Sequence, residues 1–336
     1  MIAIVVVGYN SLQDLKDCFD SIEASTYKDY ETIFVDNAST DLSVEFVKKN
    51  YPEIIVIENE NSSYAGGNNI GIRKAIELKS DNIFILNPDT IVTPDCLEQL
   101  ASRVHKNKIL QPLILIYENG HKTSLINTTG NYLNFLGISY CNDYRKNQKT
   151  AKDMKIASAS GAAMIFSSSM IKQVGGFDSN FFMYHEDLDL CVRAKLRGYE
   201  TELISKAVVY HKYSFSQNKK KLFYVERNRL LFLFKNFPFK YLLLIFVAFL
   251  INELLIVLYS LLTGSVLNKV KSYASATSLL KKTNIERRKN KKYFKNVRNV
   301  TRFIGGQIAF SEVKNPLFAP YSLILSAWWF MIKWLV

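Results

Sequence analysis

At 336 residues, 48% hydrophobic and 22% charged, the chain can bury a sizeable core, which excludes a disordered tail or a disulfide-stapled mini-protein. Its net charge of +13 is uneven: residues 201–336 carry 23 Lys and Arg against 5 acids, whereas residues 1–200 carry 20 against 25. Cys18, Cys96, Cys141 and Cys191 form no CxxC pair, so neither a zinc ribbon nor a disulfide framework is expected, and a reducing, cytosolic setting fits.

The opening MIAIVVVGYN lacks a basic leader and a cleavage site, so it reads as a first strand, Ile2–Val7, and not as a signal peptide. Leu12, Leu15, Phe19 and Ile22 then recur on one helical face. Strand signals follow at Thr32–Val35, Ile54–Ile57 and Ile83–Leu86, with helices predicted from Leu42 to Lys49, from Asn69 to Leu78 and, after Thr93-Pro94, through Val104. This alternation implies an α/β fold of βαβ units, a mainly parallel sheet flanked by helices. Ligands bind such sheets beyond the carboxyl ends of the strands. Those ends carry Tyr9 and Asn10, then Asp36, Asn37, Ser39 and Asp41, then Asn87, Pro88 and Asp89. Each alone is ordinary turn chemistry, but three strand ends direct polar groups at one edge.

Asn61 to Gly71 reads NSSYAGGNNIG, a loop with a glycine pair entering a helix. Such glycines let a ligand or another backbone come close, and free amides at a helix start favour an anion. Residues 109–156 read as short strands and loops, an insertion on the acceptor side. Gly161–Phe166 reads as a buried strand and Gly175-Gly176-Phe177-Asp178 as a tight turn. In FFMYHEDLDLCVRAKLRGY, Leu188, Val192 and Leu196 mark a buried helix face, which puts Glu186 and Asp187 in its first turn. Carboxylates there are favoured by the helix dipole, or serve as a general base at a cleft mouth. Asp189 and Arg193, four residues apart, read as a surface ion pair.

Together these residues resemble a known family. V-x-G-Y-N (Val5 to Asn10), D-N-A-S-T-D (Asp36 to Asp41), Y-A-G-G-N-N-x-G (Tyr64 to Gly71), N-P-D (Asn87 to Asp89), G-G-F-D (Gly175 to Asp178), H-E-D-L-D-L (His185 to Leu190) and a late His211 occur in the order seen in inverting family-2 glycosyltransferases of the GT-A fold. The chain is most similar to the bacterial rhamnosyltransferase-like branch that builds surface polysaccharides. One departure is Asn87-Pro88-Asp89, where many relatives have D-x-D, so a single anionic metal ligand remains.

The resemblance implies that a nucleotide-sugar is held by Tyr9, Asn10, Asp36, Asn37, Gly66, Gly67, Asn68, Asn87 and Asp89. Asp36 would accept hydrogen bonds from a ribose or a pyrimidine imide. It implies a divalent cation, Mg²⁺ or Mn²⁺, anchored by Asp89 with His211, to neutralise the departing diphosphate. It also implies that Asp187 is the base deprotonating the acceptor hydroxyl, with Glu186 as runner-up. The first donor expected is dTDP-rhamnose, with UDP-hexoses, UDP-N-acetylhexosamines and UDP-galactofuranose open. The acceptor expected is a polyprenyl-diphosphate-linked glycan. A silent membrane scaffold that keeps the fold is the rival reading.

The chain is expected to divide into a GT-A catalytic domain over 1–215 and a basic, apolar, helical membrane-association region over 216–336. Tyr241–Leu262 is long enough to span a bilayer. A single span, however, would put twelve Lys and Arg between Lys269 and Arg302, against one acid, on the wrong face. Asn252 with Tyr259, and Glu253 with Ser260, form a narrow polar stripe. In-plane or re-entrant helices are therefore preferred, with the terminal YSLILSAWWFMIKWLV as an interfacial anchor. The basic stretch Lys281–Arg298 is bracketed by apolar runs, which argues against nucleic acid and for anionic lipid headgroups or a lipid-linked pyrophosphate. The expected location is the cytoplasmic face of a bacterial cell membrane.

Overall fold

The computed structural model describes residues 1–60, 63–212, 219–308 and 318–336. Asn61 and Ser62 of the glycine motif, and the expected boundary between 215 and 216, lie outside the described residues. The chain runs β1 (Ile2–Gly8), α1 (Leu12–Glu23), β2 (Tyr30–Asp36), α2 (Ser43–Asn50), β3 (Ile55–Glu58), α3 (Ser63–Glu77), β4 (Asn82–Leu86), β5 (Thr90–Val92) and α4 (Cys96–Ala101). It continues through β6 (Lys108–Glu118), β7 (His121–Thr128), β8 (Asn131–Asn134), β9 (Ser139–Cys141), β10 (Met154–Lys155), β11 (Ala163–Ser167), α5 (Ser168–Val174), α6 (Glu186–Leu196) and β12 (Glu200–His211). The remainder is α7 (Lys219–Asn236), α8 (Phe239–Leu262), α9 (Val266–Asn290), α10 (Arg298–Thr301), β13 (Ile304–Gly305) and α11 (Phe318–Ile332).

The chain divides into two units. The first, Met1–Asn131 with Cys141–Ala194 and Tyr199–Ser214, is built on a mixed sheet in the order β10-β12-β6-β11-β4-β1-β2-β3. β3, β2, β1 and β4 are parallel, while β11 runs antiparallel to both β4 and β6. The apolar run of β1 follows from burial on both faces. Ile4 and Val6 point into one core with Phe34, Phe84, Phe19 and Leu15, and Val5 and Val7 point into the other with Ile33, Ile85, Ile72 and Ala75. The register pairs Gly8 with Asp36, Asp36 with Glu58, and Val6 with Leu86, so the ends of β1, β2 and β4 arrive level at one edge.

α3 begins at Ser63, and Gly66 and Gly67 lie inside it and not in a preceding loop. Their role differs from the expected one. A Cβ on Gly71 would stand 2.2 Å from Val5 Cγ1, and one on Gly67 2.7 Å from Val7 Cγ1, so these glycines seat the helix against β1. The amide of Gly66 is taken by Ser63 Oγ at 3.0 Å and is no free anion donor.

Residues 109–156 hold more regular structure than expected, because they begin with the eleven-residue β6 and its partner β7. The Asn119-Gly120 tokens are the two-residue turn between them: both have positive φ, 54° and 78°, as a type I′ hairpin requires. α4 stops at Ala101, short of Val104.

The second unit comprises Tyr132–Tyr140, Lys195–Gly198 and Phe215–Val336. It contains α7 to α11 and a small sheet, β13-β8-β9. Glu253 does not meet lipid or water as a lone charge. It pairs with Arg229 and with Lys269 Nζ at 3.0 Å, and Glu226 pairs with the same two cations. Asn252, Glu253 and Ser260 are buried, whereas Tyr259 faces outward, so the polar stripe is an internal contact of the helices.

Candidate active site

Three groups of side chains gather on the first unit. At the ends of β1 and β2, Asp36 is buried, and its Oδ2 accepts the Ser39 amide at 3.0 Å. Its Oδ1 is buried with no hydrogen-bond partner among the described residues. An orphaned carboxylate oxygen is costly unless a donor is supplied from outside. Asn10, at a φ of 52°, accepts the Thr40 amide at 2.7 Å and donates its own to Ser39 Oγ at 2.9 Å, which locks the two loops together. Tyr9 projects its ring into solvent. Asn37 is engaged within the fold, whereas Asn68 Oδ1, like Asp36 Oδ1, is buried with no hydrogen-bond partner among the described residues. Asn37 is buried, donating to the Ser63 carbonyl at 3.1 Å and accepting from Asn59 at 2.9 Å; Asn68 donates to the Tyr64 carbonyl at 2.9 Å.

The second group joins Asp89 to His211. His211 Nε2 stands 3.3 Å from Asp89 Oδ1, and His211 Nδ1 lies 3.1 Å from Asn127 Oδ1. With Nδ1 donating to that amide oxygen, Nε2 either donates to the carboxylate from an imidazolium or, in the neutral ring that a bound cation would select, turns a lone pair toward it. Burial raises the Asp89 carboxyl, but His211 and Lys212 outweigh it and hold the group below the usual carboxylate range. A carboxylate and an imidazole lone pair facing each other fit a divalent cation. Among the described residues no cluster of three or more His, Cys, Asp or Glu accompanies them, so the remaining positions would fall to ligand oxygens and water.

The third group is built around the acids at the start of α6. Asp187 Oδ2 accepts the Gly161 amide at 2.9 Å and Asn131 Nδ2 at 3.4 Å; Oδ1 accepts the Leu188 amide at 2.7 Å. Glu186 is buried, and its Oε2 has no hydrogen-bond partner among the described residues. Burial raises both carboxyls; the neighbouring Asp187 charge adds to the rise of Glu186, which goes well above its usual value, whereas donated hydrogen bonds restrain that of Asp187. In this coupled pair Glu186 keeps the proton longer and Asp187 carries the charge.

The approach to these acids is strained: Phe182, Tyr184 and His185 have φ of 64°, 67° and 70°, the left-handed region that side chains disfavour. Asn69 braces the start of this loop, donating to the Phe177 carbonyl at 2.7 Å and accepting its amide at 2.8 Å. Arg193 braces it from the helix, donating to the carbonyls of Val174 and Gly176 at 2.8 and 2.7 Å and to Asp189 Oδ2 at 2.7 Å. Asp189 and Arg193 are therefore a buried pair and not a surface one, because the guanidinium fork is needed to satisfy the Gly175 turn.

Tyr64 links two of the groups. Its hydroxyl stands 2.9 Å from Asn87 Oδ1 and 2.8 Å from the Gly161 carbonyl, the residue whose amide holds Asp187. The motif containing Tyr64 was visible in the sequence, but its bridging role was not. Asn127 and Asn131 carried no local signal at all.

Residues 3–175 match the family described as Glycosyl transferase family 2. The chain belongs to this family. Among curated relatives of this glycosyltransferase family, the low-salt glycan biosynthesis hexosyltransferase Agl10 of Haloferax volcanii is 27% identical over 199 residues, 58% of this chain and 61% of that protein. The N-acetylglucosaminyl-diphospho-decaprenol L-rhamnosyltransferase of Mycobacterium tuberculosis is 26% identical over 63% of this chain and 76% of its own length. Rhamnosyltransferase WbbL of Escherichia coli is 24% identical over 59% and 78%. The crystal structure of GalNAc-T7 with UDP, GalNAc and Mn²⁺ superimposes with a TM-score of 0.58 at 15% identity, over 72% of this chain and 48% of that one, a likeness of fold. The family-2 chain thus has the mixed α/β GT-A architecture, with the acids of α6 just beyond the matched segment.

Proposed function

We propose that this family-2 protein is an inverting glycosyltransferase that moves one sugar from a nucleotide-diphosphate donor to a hydroxyl of a lipid-linked glycan during cell-surface polysaccharide synthesis. The observation that carries the reading is the geometry of the two acids: the Asp187 carboxylate is oriented by the Gly161 and Leu188 amides, beside buried Glu186, whose carboxyl is raised further than that of Asp187. An ionised, oriented carboxylate is what an in-line displacement needs to take a proton from the attacking hydroxyl.

The orphaned Asp36 Oδ1 would accept an N–H or O–H of the nucleotide, and the exposed Tyr9 ring offers a stacking face for a base. Asp89 and His211 would hold a divalent cation, which when bound supplies counter-charge to the diphosphate. Tyr64 keeps Asn87 and the Gly161 loop in register, so the donor side and the base side stay at a fixed separation. The two named rhamnosyltransferase relatives support dTDP-rhamnose as the first donor, ahead of UDP-hexoses, UDP-N-acetylhexosamines and UDP-galactofuranose. The decaprenol-linked substrate in the name of the mycobacterial relative supports a polyprenyl-diphosphate-linked acceptor.

The test is a donor screen by thermal shift and by sugar-nucleotide hydrolysis, with and without Mg²⁺ or Mn²⁺. Selective stabilisation by one sugar-nucleotide, with slow hydrolysis of it, is expected. Binding of none would overturn the reading and leave a scaffold.

A further inference from the structure

α8 has two unlike faces. Leu243, Phe246, Leu250, Leu254, Leu258 and Leu261 recur at steps of three and four, and all are exposed. The opposite face is held within the second unit. Tyr241 donates to the Phe135 carbonyl at 2.8 Å, and Asn252 Oδ1 accepts from Tyr321 at 3.0 Å. Glu253 pairs with Arg229 of α7, and accepts from Lys269 and Tyr273 of α9 at 3.0 and 2.6 Å. Between Tyr241 and Glu253 the helix advances about 18 Å, so it is fastened along its length and not at one end. α11, joined to α8 through Tyr321, carries a second exposed stripe of Leu323, Ile324, Phe330 and Met331, extended by Trp334 in the turn that follows it.

By length and composition α8 could cross a bilayer, at about 36 Å. Its fastening opposes that. Because Glu253 ties α8 to α7 and α9, a crossing helix would draw their charges inward, including the exposed Lys271, Lys281 and Lys282, which the bilayer centre strongly disfavours. Lying flat immerses only the outward stripe.

We propose that α8 and α11 form a monotopic docking face for one leaflet of a bilayer containing anionic phospholipid, with α8 parallel to the membrane plane. The charges match the occupant. Lys240 is exposed at the first turn of α8, and Lys333 lies 4.8 Å from the rings of Phe330 and Trp334, where both reach headgroups while the stripes enter acyl chains.

The experiment uses the full chain with vesicles of phosphatidylcholine, with and without phosphatidylglycerol. Flotation with the anionic vesicles, weakened but not abolished by salt, is expected. Leu250→Gln, Leu254→Gln and Leu258→Gln combined should reduce flotation by about tenfold or more at little-changed thermal midpoint, because these side chains are exposed among the described residues. Lys240→Cys and Thr263→Cys should both react with an impermeant maleimide added outside the vesicles. Reaction of one end only after permeabilisation would establish a span and overturn the proposal. Failure to float, with or without self-association in solution, would overturn it as well.

Discussion

His211 turns Nε2 to within 3.3 Å of Asp89 Oδ1 while its other nitrogen is engaged by Asn127. Asn127 thereby sets which nitrogen faces the carboxylate, without touching it. Asn127→Ala should weaken Mn²⁺-dependent activity about 10–100-fold, read from a metal titration. Asp89→Ala should cost donor affinity as well as rate. Full activity in excess EDTA would show that the pair holds no catalytic cation.

Asp187→Asn should reduce turnover about 10²–10⁴-fold with donor affinity within a few-fold, because the base acts on the acceptor. Since a base works only when ionised, rate should rise with pH through the Asp187 pKa, which burial sets above the usual carboxylate range. Near-normal turnover in Asp187→Asn would move the role to Glu186.

Glu186 predicts a stability slope of opposite sense to that of an ordinary ion pair. Its folded pKa lies well above the unfolded value, so between the two the folded state holds a proton that the unfolded chain has released. Stability should therefore fall as pH rises through that window. Glu186→Gln should reduce the slope, leaving the part that the raised Asp187 carboxyl contributes, and raise stability near neutrality by about 1–2 kcal/mol. Urea unfolding of the two proteins from pH 4 to pH 8 measures both effects.

Tyr64→Phe removes one hydroxyl and little volume. The expected result is a fall in kcat of about tenfold with KM for the donor little changed, because the hydroxyl positions Asn87 and Gly161. A change confined to thermal stability would reduce Tyr64 to a packing role.

Gly71→Ala should destabilise by about 1–3 kcal/mol, since its methyl would overlap Val5. Val5→Ala should return part of the loss in the double variant, a coupling readable from denaturation midpoints.

The strands that carry the site were legible because burial on both faces writes itself as unbroken apolar runs such as Ile2–Val7, ending in the polar tokens Asp36 and Asp89. The acids of α6 were legible because the helix period placed them at its start. What escaped acts between distant positions. Asn131 reaches Asp187 across 56 residues, and Asn69 meets Phe177 across 108, and an asparagine in a loop announces no partner. The glycines of α3 misled for a related reason, because closeness to a strand and closeness to a ligand demand the same missing side chain. Asp189 and Arg193 misled because helical spacing says which residues meet, not whether water reaches them.

The loop before Glu186 has a consequence for how the protein fails. Phe182, Tyr184 and His185 hold left-handed backbone at about 1–2 kcal/mol each, a conformation that glycine would adopt freely and that local preference does not maintain. Local bonds from the Phe182 amide to the Ser179 carbonyl at 3.2 Å and from the Met183 amide to the Phe181 carbonyl at 2.7 Å, and the Ala65 amide on the Phe182 carbonyl, help to hold it, while Asn69 and Arg193 fix the preceding turn at Val174–Phe177. The acids therefore follow directly on strained backbone. On gentle heating or in dilute urea, activity should be lost before the sheet unfolds, which parallel activity and circular-dichroism curves would show.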